Sequence, residues 1–269
     1  MVENKTKQEI ESSLRRQVSR FLSEQSQADI QLAAFLKKIR EKSVQKGWTA
    51  YLCGGALRDL HLQKRFPRDL DIVVAFSDLT NLRQEFSVFS PRSTALGGIS
   101  LQVGKWSIDV WPLSETWALR QDVSQNVKDI HALLRTTFLN IDAVAVSLFP
   151  HGGERKVFFG GFVEAIENRI LEINKEENPN PSVCIVKSLV LKEQLGFQIG
   201  TNLGNYIRKE VQKLRIEDLK RIYRKRYQGI VGSDKFLDEN IYKLQKENMD
   251  VCRYFQKSTL NQLEFVFSK

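Results

Sequence analysis

Between Tyr51 and Phe76 the chain reads YLCGGALRDLHLQKRFPRDLDIVVAF, and this stretch collects the residue types that phosphate chemistry needs. Asp69 and Asp71 open a β-rich run with one residue between them. Strand side chains alternate, so both carboxylates fall on one face. Two carboxylates held together repel each other unless a cation sits between them. Oxygen ligands of this kind suit Mg²⁺, which is held by one or two carboxylates plus substrate phosphates. Gly54 and Gly55, which end the preceding apolar run, allow close backbone approach and leave amide N–H groups free for those phosphates. Arg58, with Asp59 beside it, adds a cation. Taken singly, Gly-Gly is an ordinary turn, Asp-x-Asp a solvated strand edge and Arg58-Asp59 a surface ion pair. In this order and at this spacing they describe a nucleotidyl-transfer site.

The same residues carry a family resemblance. GGALRD followed by RDLDIVV resembles the first motif of class II CCA-adding enzymes and bacterial poly(A) polymerases, which are polymerase-β-type nucleotidyltransferases. The resemblance covers residues 48–200. It implies an α+β fold, with a mixed-sheet nucleotidyltransferase head followed by a small helical neck-like domain. It also implies that Asp69 and Asp71 hold the catalytic Mg²⁺, while Gly54, Gly55 and Arg58 attend the triphosphate of an NTP. In KWSIDVWPL, Asp109 is the candidate for the third carboxylate that completes the superfamily's metal site. RTTFLNIDAVAVSLF is similar to the family's Arg-Arg-Asp-Phe-Thr-Ile-Asn-Ala motif at Arg135 and Phe138, which places Arg135 near the nucleotide. A helix ending in Leu195-Gly196-Phe197 is similar to the family's neck helix, with Lys187 where relatives carry an arginine. The family's base-reading Glu-Asp-x-x-Arg motif falls on Asn180, Pro181 and Cys184, so ordered C, C, A addition is not expected.

These residues need positioning elements. Apolar residues at helical spacing predict a helical extension over 1–28, with Ile10, Leu14, Val18 and Phe21/Leu22 on one face. A second helix runs from Asp29 to Lys46 with Gly47 as its cap. Ser77 is placed as the N-cap of a helix through Phe86. Leu96-Gly97-Gly98-Ile99 reads as a glycine loop entering a strand, and 114–134 as a helix-and-loop connection. From Arg135 the chain is expected to run into an alternating strand. HGGERKVFFGGF reads as a hairpin, Ser182–Leu195 as a helix, and everything beyond Leu203 as helix and turn. The domain division is 1–28 for the extension, 29–159 for the head and 160–269 for the helical region.

Composition bounds the partners. The 269 residues carry a net charge of +9, which favours an anionic partner, nucleic acid first. Nine Lys/Arg against three Asp/Glu lie between Asn205 and Ile230. Within that segment Arg208, Lys220, Arg221, Arg224, Lys225 and Arg226 are the candidate RNA contacts, and interleaved Tyr223 and Tyr227 suit base stacking. No apolar run approaches membrane-span length, and the opening residues lack the apolar core of a secretory signal. Three cysteines and three histidines show neither disulfide nor zinc spacing. The sequence reads as a cytoplasmic enzyme that moves a nucleotide onto an RNA 3′ hydroxyl, tRNA or a tRNA-like RNA, with a protein partner possible. The alternatives are a toxin, antitoxin or signalling nucleotidyltransferase that modifies a protein or nucleotide, and a catalytically silent binding module.

Overall fold

The structure, a computed structural model, describes residues 2–63, 66–121, 129–150, 153–244 and 246. His151-Gly152 of the expected hairpin turn, residues 122–128 of the expected connection, and the expected segments beyond 246 lie outside them. Chain contacts divide the molecule into two compact units, 1–175 and 176–269.

The first unit opens with two helices, α1 (Val2–Ala28) and α2 (Ile30–Lys46). Ile10, Leu14, Val18, Phe21 and Leu22 of α1 are buried, so the helix presents one apolar stripe inward. Asp29 caps α2 by accepting from the N–H groups of Gln31 and Leu32, and Gly47 ends it in the left-handed region. Seven strands follow: β1 (Thr49–Cys53), β2 (Asp69–Ala75), β3 (Arg92–Ser93), β4 (Ile99–Val103), β5 (Trp106–Pro112), β6 (Val144–Ser147) and β7 (Val157–Phe159). They form one mixed sheet in the order β3-β4-β5-β2-β1-β6-β7. The β2/β5 pair is parallel and every other pair antiparallel. Between the strands lie α3 (Gly55–Leu62), α4 (Leu79–Glu85), α5 (Trp117–Gln121) and α6 (Ile130–Arg135), and α7 (Phe162–Asn168) follows β7.

Alternation sorts the side chains into two layers. Trp106, Ile108 and Val110 of β5 are buried on one face, where Phe21 of α1 meets Trp106 edge-on at 5.4 Å. On the other face Cys53, Val73, Ala75 and Ala145 join Leu119 of α5 and Ile130, Ala132 and Leu134 of α6 in an apolar cluster. That cluster covers only part of this face; along β2, the residues before Val73 on the same side are Asp71 and Asp69.

Three local expectations need correction. The N-cap of α4 is Asp78, not Ser77: its carboxylate accepts from the Asn81 N–H at 2.7 Å, whereas Ser77 turns back to the Val74 carbonyl. Arg135 does not open a strand; it ends α6, and the strand begins only at Val144. Nor does that strand alternate, because all four residues of β6 are buried. A strand covered on both faces reads as a continuous apolar run.

The second unit contains α8 (Pro181–Leu195), α9 (Thr201–Val211), α10 (Ile216–Tyr227) and a helical run over 235–244. Ile185, Leu189, Val186 and Val190 are all buried in α8. Tyr223 and Tyr227 are buried too, which corrects their reading as RNA-stacking residues. They lie four and eight residues after buried Leu219, on the same inward stripe of α10, and the Tyr223 hydroxyl donates to the Gly232 carbonyl at 2.8 Å.

Candidate active site

The site is built on the sheet face left open beside the apolar cluster. In β2, Leu70 is buried while Asp69 is exposed and Asp71 half-buried, the outcome that period-two alternation requires. The parallel register with β5 sets Asp71 opposite Asp109 and Asp69 opposite Ser107. The antiparallel register of β4 adds Ser100 opposite Asp109, and that of β1 adds Cys53 opposite Asp71. One row across four strands therefore reads Ser100, Asp109, Asp71, Cys53. Asp69, Asp71 and Asp109 are brought together.

Their electrostatics follow from this placement. Burial pushes the Asp109 carboxyl above the ordinary carboxylate range, a hydrogen bond from Ser100 works against the rise, and the negative charge of Asp69 adds to it. Oδ1 of Asp109 is buried without a hydrogen-bond partner. Burial also raises the Cys53 thiol, and the neighbouring charge of Asp71 raises it further. Cys53 is therefore a neutral wall of the site rather than a nucleophile.

Gly54 and Gly55 follow β1 directly. Gly54 adopts φ 69°, ψ −131°, a conformation open only to glycine, and a Cβ there would stand 3.8 Å from both Asp71 Oδ2 and the Asp142 carbonyl oxygen. The turn thus lies between the aspartate strand and the segment leading into β6. Its own N–H donates to the Val144 carbonyl at 3.0 Å, so this amide, expected to be free for phosphate, is already taken, and α3 starts immediately after it.

Arg58 does not face outward. It is 2% exposed, with Nε 2.9 Å from Asp59 Oδ1 and Nη1 2.5 Å from Asp142 Oδ1. Burial alone would lower the guanidinium pKa, but Asp142 and Asp59 hold it above its ordinary value. Asp142 was not legible as a partner, because 84 residues separate it from Arg58. Ser100 was likewise missed; only the β4/β5 register could reveal it.

The remaining candidates lie elsewhere. Arg135 is exposed at the end of α6. Lys187 is half-buried on α8 of the second unit. Of the proposed RNA contacts, Arg221, Arg224, Lys225 and Arg226 are exposed, but several are already neutralised. Lys220 pairs with Asp238 at 2.9 Å, Arg221 with Asp218 at 3.0 Å and Arg224 with Asp234 at 2.7 Å. Arg208, on α9, donates to Asn205.

Among the described residues no three His, Cys, Asp or Glu side chains stand close enough to form a ready metal cage. The donor set nevertheless fits Mg²⁺ of the substrate-assisted kind. The site offers carboxylate oxygens, and an unpartnered buried oxygen on Asp109 stands in the same row as Asp71.

Neither a protein-family model nor a curated protein sequence matches the chain. Solved structures do. A CCA-adding enzyme in complex with CTP superposes with a TM-score of 0.60 at 19% identity, covering 85% of this chain and 54% of that protein. The fold is that of the CCA-adding enzymes. The Thermotoga maritima CCA-adding enzyme bound to tRNA matches at TM-score 0.58 and 17% identity, over 80% of this chain and 50% of its own. A tRNA nucleotidyltransferase with primer tRNA and an incoming ATP analogue matches at 0.56 and 17%, over 77% and 60%. The chain thus spans little more than half the length of these proteins. No helix among the described residues is long and apolar enough to cross a membrane.

Proposed function

We propose that this protein is a Mg²⁺-dependent nucleotidyltransferase that moves NMP from an NTP onto an RNA 3′ hydroxyl, with tRNA or a tRNA-like RNA as acceptor. The observation that carries the reading is the register of Asp71 against Asp109, with Asp69 two residues away on the same face and Gly54 beside Asp71. Bound metal would activate the attacking hydroxyl and stabilise the leaving pyrophosphate. The chain's own task is positioning. Asp69, Asp71 and Asp109 would hold the metal, and through it the substrate phosphates, on a rigid strand face, and the N-terminus of α3 at the glycine turn would offer N–H groups to a phosphate. Arg135 and Lys187 are the further cations proposed for the nucleotide. The exposed face of α10, with Arg221, Arg224, Lys225 and Arg226, supplies nonspecific attraction for RNA, supported at its flanks by Arg208 and Lys220.

The matched proteins were solved with tRNA, CTP or an ATP analogue bound, which supports the choice of substrates. The test is incubation of the purified protein with each labelled NTP, Mg²⁺ and total cellular RNA. Label in RNA that depends on Mg²⁺ supports the proposal. Label in protein, in a small molecule or nowhere overturns the RNA acceptor.

A further inference from the structure

We propose that Asp142 is a positioning residue for the glycine turn, acting through Arg58, and that Arg58 itself is a brace rather than a ligand of the triphosphate. The inference rests on the nucleotidyltransferase reading of the Asp69, Asp71 and Asp109 face and assigns how one wall of that site is held in place.

Arg58, Asp59 and Asp142 are 2%, 4% and 5% exposed, so all three charges sit inside the protein. A cation this deeply enclosed by two carboxylates has no free face for a third anion. Desolvation makes such a group costly unless its geometry is good, and here Nε and Nη2 engage Asp59 Oδ1 at 2.9 and 2.8 Å while Nη1 engages Asp142. The planar fork of arginine lets one side chain bridge two carboxylates from different elements, which an ammonium does far less well.

The bridge has a direction. Arg58 and Asp59 are the fourth and fifth residues of α3, which starts directly after Gly54. Asp142 ends the single 3₁₀ turn Asn140–Asp142 that leads into β6. That turn is itself fixed by buried Asn140, whose amide donates to the Ile170 carbonyl and accepts from the N–H groups of Ile141 and Glu172. Gly54 is tied to the same segment through the Val144 carbonyl. Side-chain and backbone links therefore clamp the start of α3 against one anchored segment. Gly54 packs between that segment and Asp71 Oδ2, so a shift of the clamp moves the phosphate-facing amides relative to the aspartate strand.

The experiment compares wild type, Asp142→Asn, Arg58→Lys and the double variant by steady-state transfer kinetics and by hydrogen exchange of backbone amides. A misplacement of about 1 Å costs on the order of 100-fold in rate, so kcat should fall about 10- to 100-fold while KM for NTP stays within about twofold. Exchange over 52–58 should quicken by about tenfold or more while 106–112 is unchanged, since only the clamped segment opens locally. The double variant should be no worse than the more impaired single one, because both remove one link. If either variant loses its melting transition, Asp142→Glu keeps the charge and should show the same signature at smaller size. A raised KM with kcat retained would make Arg58 a triphosphate contact and overturn the proposal. Unchanged exchange over 52–58 would overturn it as well. Wild type that transfers nothing defeats the nucleotidyltransferase reading instead, and the exchange result then decides the clamp alone.

Discussion

Asp71 stands directly opposite Asp109 across two parallel strands, with Ser100 donating to Asp109 from the far side and Asp69 adding its charge. Burial and the charge of Asp69 both disfavour the charged form of Asp109. In the absence of metal that arrangement costs stability. Asp71→Asn and Asp109→Asn should abolish transfer, and Asp109→Asn should leave the metal-free melting temperature at pH 7 equal or higher. For Asp109 the folded-state pKa is raised, so its unfavourable contribution is absent below the unfolded value and grows as pH rises through the folded one. The gain from Asp109→Asn should shrink on acidification. Retained transfer in either variant, with Mg²⁺ supplied, would remove these residues from the site.

Gly98 is a second fixed point. A Cβ there would lie 2.3 Å from Trp111 Cδ1 and 2.7 Å from the Val110 carbonyl oxygen. The indole can shift, but the strand carbonyl cannot. Gly98→Ala should destabilise the head by about 1–3 kcal/mol, the usual range for overpacking. Urea unfolding measures it, and a change under about 0.5 kcal/mol, the size of an ordinary surface substitution, would mean that the loop is not held against β5.

The parts of this molecule that were legible in the sequence are those whose signal is local. The alternation of Asp69 and Asp71, the Gly47 cap and the apolar stripe of α1 depend on spacings of a few residues. Tyr223 and Tyr227 were misread for a related reason. Their composition among Arg and Lys suggested a stacking surface, while their spacing of four and eight residues from Leu219 already put them on the inward stripe. The link from Arg58 to Asp142 had no local signal at all. It exists because β6 pairs with β1, which brings two segments together that share no periodicity.

His61 gives the head a pH dependence separate from the acids. It is half-buried, packs edge-on against Phe162 at 5.7 Å, and burial lowers its pKa below the ordinary histidine value. A lowered folded pKa means stability is fully present above the unfolded value and is lost as pH falls through the folded one. Chemical denaturation of the wild-type protein should weaken across that acid window. His61→Phe should flatten this part of the profile, and an unaltered slope would show that another group carries it.

The exposed cations of α10 can be weighed by salt. Each phosphate contact on a single strand adds about 0.7 to the slope of log K against log salt. Arg221→Gln, Arg224→Gln and Lys225→Gln together should lower that slope for RNA by about 2 if all three meet phosphate. Arg221 and Arg224 are already paired with Asp218 and Asp234, so the drop should be smaller if those pairs persist on binding. An unchanged slope would return α10 to the role of a solvated, ion-paired helix.

Base selection is expected to be loose. In the resembled family a carboxylate and a guanidinium just before and on the neck helix pair with the incoming base. Here α8 begins at Pro181, and the matching positions are Asn180, Pro181 and Cys184, the last of which is buried. The side-chain Oδ1 of Asn178 accepts locally from the Asn180 N–H at 2.9 Å. Lys187 is a point charge without the planar fork that reads a base edge. A pocket built to hydrogen-bond its substrate rejects the wrong one strongly because buried polar groups would be left unpaired, and these residues provide no such set. CTP and ATP, offered separately and together to tRNA lacking its 3′ end, should be incorporated with rates within about tenfold of each other, the scale of discrimination available without paired donors and acceptors. Addition of C, C and A in that order, stopping at A, would show that another part of the chain performs the selection.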